Sequence, residues 1–109
     1  MKVLFLPEVR KYLKEVSIIL YENDYFGFLD SAEKYVDELF NDILTTLPLR
    51  QKHPAPEYFS KYGEKLLYSV FKKSKTTKWY VFFNIYKDNE DIIYLVRYIN
   101  NNHVVAKYF

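Results

Sequence analysis

Two side chains near the end of the chain could do chemistry. Arg97 interrupts the apolar run "DIIYLVRYI" at residues 91–99, and His103 follows three asparagines shortly after it. A guanidinium binds phosphate or carboxylate through a rigid fork of N–H donors. An imidazole accepts or donates a proton near neutral pH. Arg97 and His103 therefore predict an anion-binding site with acid–base chemistry at the end of the last apolar segment.

Each of these residues has a simpler interpretation that the sequence leaves open. Arg97 could pair with a carboxylate from one of the predicted helices, and His103 could be an exposed loop residue. His53, between Lys52 and Pro54, is interpreted as part of a surface loop. With two histidines and no cysteine in the chain, neither a zinc site nor a cofactor is expected.

Four lysines crowd a short segment further upstream, at Lys72, Lys73, Lys75 and Lys78. They belong to a basic middle third, because residues 50–78 hold eight Lys/Arg against two Asp/Glu, whereas residues 1–49 hold five against nine. A clustered positive field attracts phosphates or an acidic partner. The alternative is a solvated, lysine-rich hairpin tip with no binding role.

Hydrophobic spacing predicts the elements that position these groups. The run "KVLFL" at residues 2–6 predicts a strand. Apolar residues at helical spacing predict a helix from about residue 7 to 21 and a second from about 31 to 47. Asp30 and Glu33 resemble a capping box for the second helix. The short loop between the two helices predicts an antiparallel hairpin.

The apolar period changes to two in the second half of the chain. Three strands are predicted at residues 65–73, 78–86 and 91–99, joined by the hairpin turns "SKTT" and "KDNE". The order is therefore β–α–α–β–β–β within a single domain, residues 1–109. We expect an α+β fold, with the helical hairpin packed on an antiparallel sheet of about four strands. This arrangement would bring Arg97 close to the hairpin lysines.

The expected core draws on every predicted element, and Trp79 is also interpreted as a core residue. The other core residues are Val3, Phe5, Leu13, Val16, Val36, Leu39, Ile43, Val81, Phe83, Leu95 and Ile99. No signal peptide is expected, because only a few apolar residues precede Pro7. No apolar run has the roughly 18 residues that a membrane helix needs. We therefore expect a cytoplasmic protein with no membrane partner.

The chain resembles the RelE/ParE superfamily of bacterial toxins in three features. They are the element order, the aromatic strand "KWYVFFNIY", and the stretch "IIYLVRYI" followed by a polar turn and a histidine. These toxins belong to type II toxin–antitoxin modules, known also from plasmid stabilization. The resemblance covers nearly the whole chain and implies a RelE/ParE-like fold. RelE-like members enter the ribosomal A site and act as mRNA interferases without metal, with the 2′-hydroxyl of the RNA as nucleophile. ParE-like members block DNA gyrase and cleave nothing.

The resemblance also implies partners and roles for particular residues. A cognate antitoxin would wrap around the toxin, and a homodimer or a toxin–antitoxin hetero-oligomer are both left open. Arg97, His103 and Tyr108 would be catalytic residues, and Lys72, Lys73, Lys75 and Lys78 would bind nucleic acid or a partner. Tyr80 stands where ribonuclease members often carry an arginine. The rival hypothesis is a non-toxic binding module that uses residues 50–78 to hold an acidic peptide or a nucleic acid.

Overall fold

A helical hairpin and a five-stranded sheet form the body of the computed structural model, which describes all residues 1–109. The fold is α+β, as predicted. None of its helices combines the length and the apolar character that a membrane-spanning helix needs. Three 3₁₀ segments, Leu47–Leu49, Glu57–Tyr62 and Ala106–Tyr108, join the regular elements. The regular elements are β1 (Lys2–Phe5), α1 (Pro7–Glu22), α2 (Leu29–Thr46), β2 (His53–Pro54), β3 (Leu67–Lys72), β4 (Lys78–Asp88), β5 (Asp91–Asn101) and α3 (Asn102–Val105).

The two long helices form as their apolar spacing predicts, but the predicted capping box is wrong. Pro7 occupies the first turn of α1, where its missing N–H costs nothing. The N-cap of α2 is Phe28, which makes no side-chain cap hydrogen bond. Asp30 therefore lies inside the first turn, where its carboxylate stabilises the positive end of the helix dipole.

The sheet has the strand order β1-β5-β4-β3-β2, and it is mixed rather than antiparallel. The neighbouring strands β2 and β3, β3 and β4, and β4 and β5 pair antiparallel. β1 instead lies parallel to β5, with Phe5 opposite Val96. The prediction that all strands are antiparallel is therefore wrong, whereas the expected sheet of about four strands forms with one strand more. An antiparallel helix pair followed by three strand reversals brings β5 alongside β1 in the same direction. The fifth strand is the two-residue β2, where His53 pairs with Tyr68 instead of lying in a loop.

A β-bulge interrupts the pairing of β4 with β5. Phe82 lies opposite Tyr98, and Phe83 lies opposite Val96, so Arg97 is the extra residue. A bulge shifts the side-chain alternation by one residue. For this reason Val96 and Ile99 both face the helices, although they are three residues apart.

The sheet is covered on both faces. The helices bury the larger core on one face, and a second cluster, formed by Phe59, Leu66, Phe82 and Val105, lies on the other. Trp79 and eight of the expected core residues are buried, namely Leu13, Val16, Val36, Leu39, Ile43, Val81, Phe83 and Ile99. Val3 and Phe5 pack partly buried against the larger core. Leu95 is outside both clusters because its neighbours Tyr94 and Val96 take the helical face.

Candidate functional site, a tyrosine-lined groove beside β5

A groove opens where β5 continues past the end of β1. The pairing with β1 stops at Val96, so residues 97–101 of β5 have no strand on that side. The groove has a volume of about 340 Å³ and lies between the start of α1 and the 3₁₀ helix Glu57–Tyr62. We call it the tyrosine groove; its lining residues are Leu6, Glu8, Val9, Tyr12, Lys61, Tyr62, Arg97, Tyr98 and Ile99.

Arg97 carries an unpaired charge into this groove. Its Nη2 donates to the hydroxyl of Tyr86 at 2.7 Å, and its Nε is buried with no hydrogen-bond partner. None of the three ion pairs in the molecule includes it. The interpretation of Arg97 as the partner of a helix carboxylate is therefore wrong. A buried N–H without a partner costs free energy, and the guanidinium has no carboxylate partner to offset its charge.

Gly63 provides the space that Arg97 occupies. A Cβ at Gly63 would lie 2.8 Å from Cδ and 3.2 Å from Nε of Arg97. The backbone there is extended, so glycine is needed for the close approach and not for its backbone angles. Asn84 holds the same loop, because its Nδ2 donates to the carbonyl of Glu64 at 2.9 Å. The arginine is thus held in place by its surroundings.

Stacked tyrosines and one lysine extend the site away from Arg97. The rings of Tyr62 and Tyr98 stack with centroids 4.0 Å apart, and those of Tyr58 and Tyr108 stack at 3.5 Å. The ammonium of Lys61 lies 3.9 Å from the ring centroid of Tyr58 and 5.4 Å from that of Tyr62. A cation over a ring face is held by the ring quadrupole. Lys61 therefore joins the two stacks into one surface.

The electrostatics single out one hydroxyl of this surface. The ammonium of Lys61, and after it Tyr108, lowers the pKa of Tyr58 below its usual value, and Tyr58 in turn raises the pKa of Lys61. Burial, and after it Tyr98, raises the pKa of Tyr62. Tyr58 is also 38% exposed. Of these two tyrosines, Tyr58 is therefore the one that more readily loses its proton and forms the phenolate anion.

The structure divides the predicted site residues into two groups. Arg97 lies in the tyrosine groove, and Tyr108 lies on the same face of the sheet, stacked on Tyr58. His103 lies in α3, just after the C-terminal end of β5. The four lysines Lys72, Lys73, Lys75 and Lys78 lie in or beside the β3–β4 turn.

His103 is tied to that turn by its neighbour. The side chain of Asn102 accepts from the backbone N–H of Lys78 at 2.9 Å and donates to the carbonyl of Thr76. Lys78 pairs across the hairpin with Lys72, and Arg97 lies near the level of Phe82. At about 3.3 Å per residue, Lys78 and Arg97 are roughly 15 Å apart along the sheet. The expectation that Arg97 meets the hairpin lysines is wrong.

Tyr80 is partly buried and packs against the second core cluster. Its ring lies 5.7 Å from that of Tyr68 and 5.0 Å from that of Phe109. An arginine at this place, which the RelE resemblance implies for ribonuclease members, would replace aromatic packing. The position therefore contributes packing instead of charge.

Sequence reasoning did not single out Lys61, Tyr58 and Tyr62, because the segment "PEYFSKYGE" lies between the second predicted helix and the next predicted strand. Their spacing in the sequence was a usable signal. Lys61 is three residues after Tyr58 and Tyr62 is four residues after it, which puts all three close together on one helical turn. Tyr98 and Gly63 had no such signal, since their roles depend on the bulge and on the position of Arg97.

Comparison with models of known families, with curated proteins and with solved structures found no match for this chain.

Proposed function

We propose that this chain is a growth-inhibiting toxin of the RelE/ParE type, and that its tyrosine groove binds RNA and promotes cleavage of mRNA on the ribosome. The observation that carries the proposal is Arg97, a charged fork without a carboxylate partner, held by Gly63 beside Lys61. A phosphate diester bound at this guanidinium would balance its charge. The partners would be the ribosome with its mRNA and a cognate antitoxin.

The proposed reaction uses groups of the chain and of the RNA alone. Arg97 binds the phosphate, and the Tyr58 anion, stabilised by Lys61, takes the proton of the 2′-hydroxyl. The 2′-oxygen bonds to phosphorus and the bond from phosphorus to the 5′-oxygen breaks, leaving a 2′,3′-cyclic phosphate. The 5′-oxygen takes a proton from the ammonium of Lys61. Positioning and charge stabilisation supply most of the acceleration in such reactions.

One observation favours a second candidate, the block of DNA gyrase. The place where ribonuclease members often carry an arginine is occupied by Tyr80, which is packed between aromatic rings. Gyrase inhibition requires no phosphate clamp and no proton acceptor. In that case Arg97 and Lys61 would contact acidic groups of the protein target.

Growth under induced expression in a bacterial host, followed by mapping of cleaved mRNA ends, tests the proposal. Wild type should stop growth and leave ribosome-dependent cuts, and Tyr58→Phe should lose the cuts while keeping the ring stack. Tyr25→Phe is the matched control, because Tyr25 is an exposed tyrosine far along the chain in the α1–α2 loop. Arrest without cuts, accompanied by a loss of DNA supercoiling, would support the gyrase candidate. No arrest at all would support the non-toxic binding module.

A further inference from the structure

A second groove runs between α1 and α2 on the side of the helical hairpin that faces away from the sheet. It has a volume of about 450 Å³. Leu13 and Val36 are buried at its floor, whereas Ile18 is 49% exposed and Leu29 38% exposed at its rim. We call it the helix groove. Its apolar rim is open to solvent, which is typical of an interaction surface.

The two walls of the helix groove carry opposite charge. Arg10 and Lys14 line the wall formed by α1, and Glu33 and Asp37 line the wall formed by α2. All four side chains are exposed, and none takes part in the three ion pairs of the molecule. The chain does not pair these charges internally, so both walls are free to meet opposite charge from outside.

The helix directions make this surface complementary to itself. α1 and α2 run antiparallel, and the guanidinium of Arg10 near the start of α1 lies 5.9 Å from the ring centre of Phe40 near the end of α2. A two-fold axis along the groove would lay α1 of one copy over α2 of a second copy at the same height. Arg10 and Lys14 would then face the carboxylates of the second copy, twice in each dimer.

We propose that the chain forms a two-fold symmetric homodimer through the helix groove, with α1 and α2 of both copies in an antiparallel four-helix arrangement. Ile18 and Leu29 would be buried towards the end of the interface near the α1–α2 loop, with the opposite charges beside them along the helices. Two helices, each about 25 Å long and about 10 Å wide, together give roughly 500 Å² in projection. The accessible area is larger than the projection and approaches the roughly 800 Å² per partner of a standard interface.

Sedimentation velocity of the full chain, with two charge-reversal variants, tests this proposal. Arg10→Glu/Lys14→Glu places carboxylates on both walls, and Glu33→Lys/Asp37→Lys places cations on both walls. Each variant alone should be monomeric because like charges face one another in a self-dimer. An equimolar mixture should restore the dimer, since every wall then meets its opposite. Circular dichroism checks that both variants keep their helices.

Apolar variants give an independent measurement. Ile18→Asp should abolish the dimer, whereas Ile19→Asp should keep it, because Ile19 is exposed to a similar degree but does not line the groove. Wild type that stays monomeric over the whole concentration range would overturn the proposal and leave the groove to a different protein. A dimer that survives both charge reversals and Ile18→Asp would also overturn it, because the interface would then lie elsewhere.

Discussion

At the scale of single residues, Arg97 is the side chain on which the proposed function depends. Arg97→Ala should abolish growth arrest but lower the free energy of unfolding by only about 1 kcal/mol, because it leaves no buried carboxylate without a partner. Truncating one member of a buried ion pair would cost about 3–5 kcal/mol. Urea unfolding beside a growth assay measures both quantities. A large loss of stability would show that the arginine serves the fold.

Tyr12 gives a second prediction at this scale, concerning pH. Burial, and after it Tyr98, raises the pKa of Tyr12 to about 12, and its hydroxyl donates to Oδ1 of Asn100 at 3.0 Å. The folded-state pKa lies above the ordinary value of about 10. The stabilisation by the neutral Tyr12 hydroxyl is therefore fully present below a pH of about 10, and it is lost as the pH rises towards 12.

Urea unfolding of wild type and Tyr12→Phe, near neutral pH and again near pH 11, measures this effect. The stability advantage of wild type should shrink at the higher pH. The other tyrosines titrate in both proteins and cancel in the comparison. An advantage of equal size at both pH values would contradict the assigned cause.

At the scale of elements, the loop after the 3₁₀ helix Glu57–Tyr62 positions the arginine of β5. Gly63→Ala should reduce activity nearly as much as Arg97→Ala, because the new Cβ would overlap the arginine side chain. The overlap should cost about 1 kcal/mol of stability. Adding Arg97→Ala to Gly63→Ala should recover that cost, which a double-mutant cycle measures. Gly27→Ala is the control, since a Cβ there meets nothing within 4 Å.

The short C-terminal helix α3 fastens the chain to the second face of the sheet. Val105 is 1% exposed and packs in the cluster with Phe59, Leu66 and Phe82. Val105→Ala should therefore lower the free energy of unfolding by about 2 kcal/mol. Val104, which is 43% exposed, gives the matched control, and its change to alanine should cost less than about 0.5 kcal/mol. Equal costs at the two positions would show that α3 does not pack tightly.

At the scale of the whole molecule, the lysines of the β3–β4 turn are separated from the tyrosine groove. Lys72 and Lys75 are exposed at the β3–β4 turn, roughly 15 Å from the level of Arg97. Under the proposed function they would attract RNA without taking part in cleavage. Lys72→Gln/Lys75→Gln should lower the salt dependence of RNA binding by about one unit of slope per lysine. Cleavage at saturating RNA should be unchanged, and a loss of cleavage there would place the reaction at the hairpin.

The amino-acid sequence by itself determined the elements of this fold. Apolar spacing is a local property, so the two long helices and the three long strands form close to where the spacing predicts them. The hairpin turns "SKTT" and "KDNE" likewise fix which strands are neighbours. The sequence also singled out Arg97, because a charge inside an apolar run needs no structure to be seen.

Only the tertiary structure decided what surrounds that charge. A bulge is a property of two paired strands, so the alternation that predicted Leu95 in the core failed at Arg97. Two contacts join parts of the chain that are distant in sequence: the close approach of Gly63 to Arg97 and the stacking of Tyr62 on Tyr98. The distance between Arg97 and the hairpin lysines likewise depends on how the strands pair. The parallel position of β1 also depends on how the helices return the chain to the sheet. Local spacing carries no information about such contacts, because they exist only after the elements have packed.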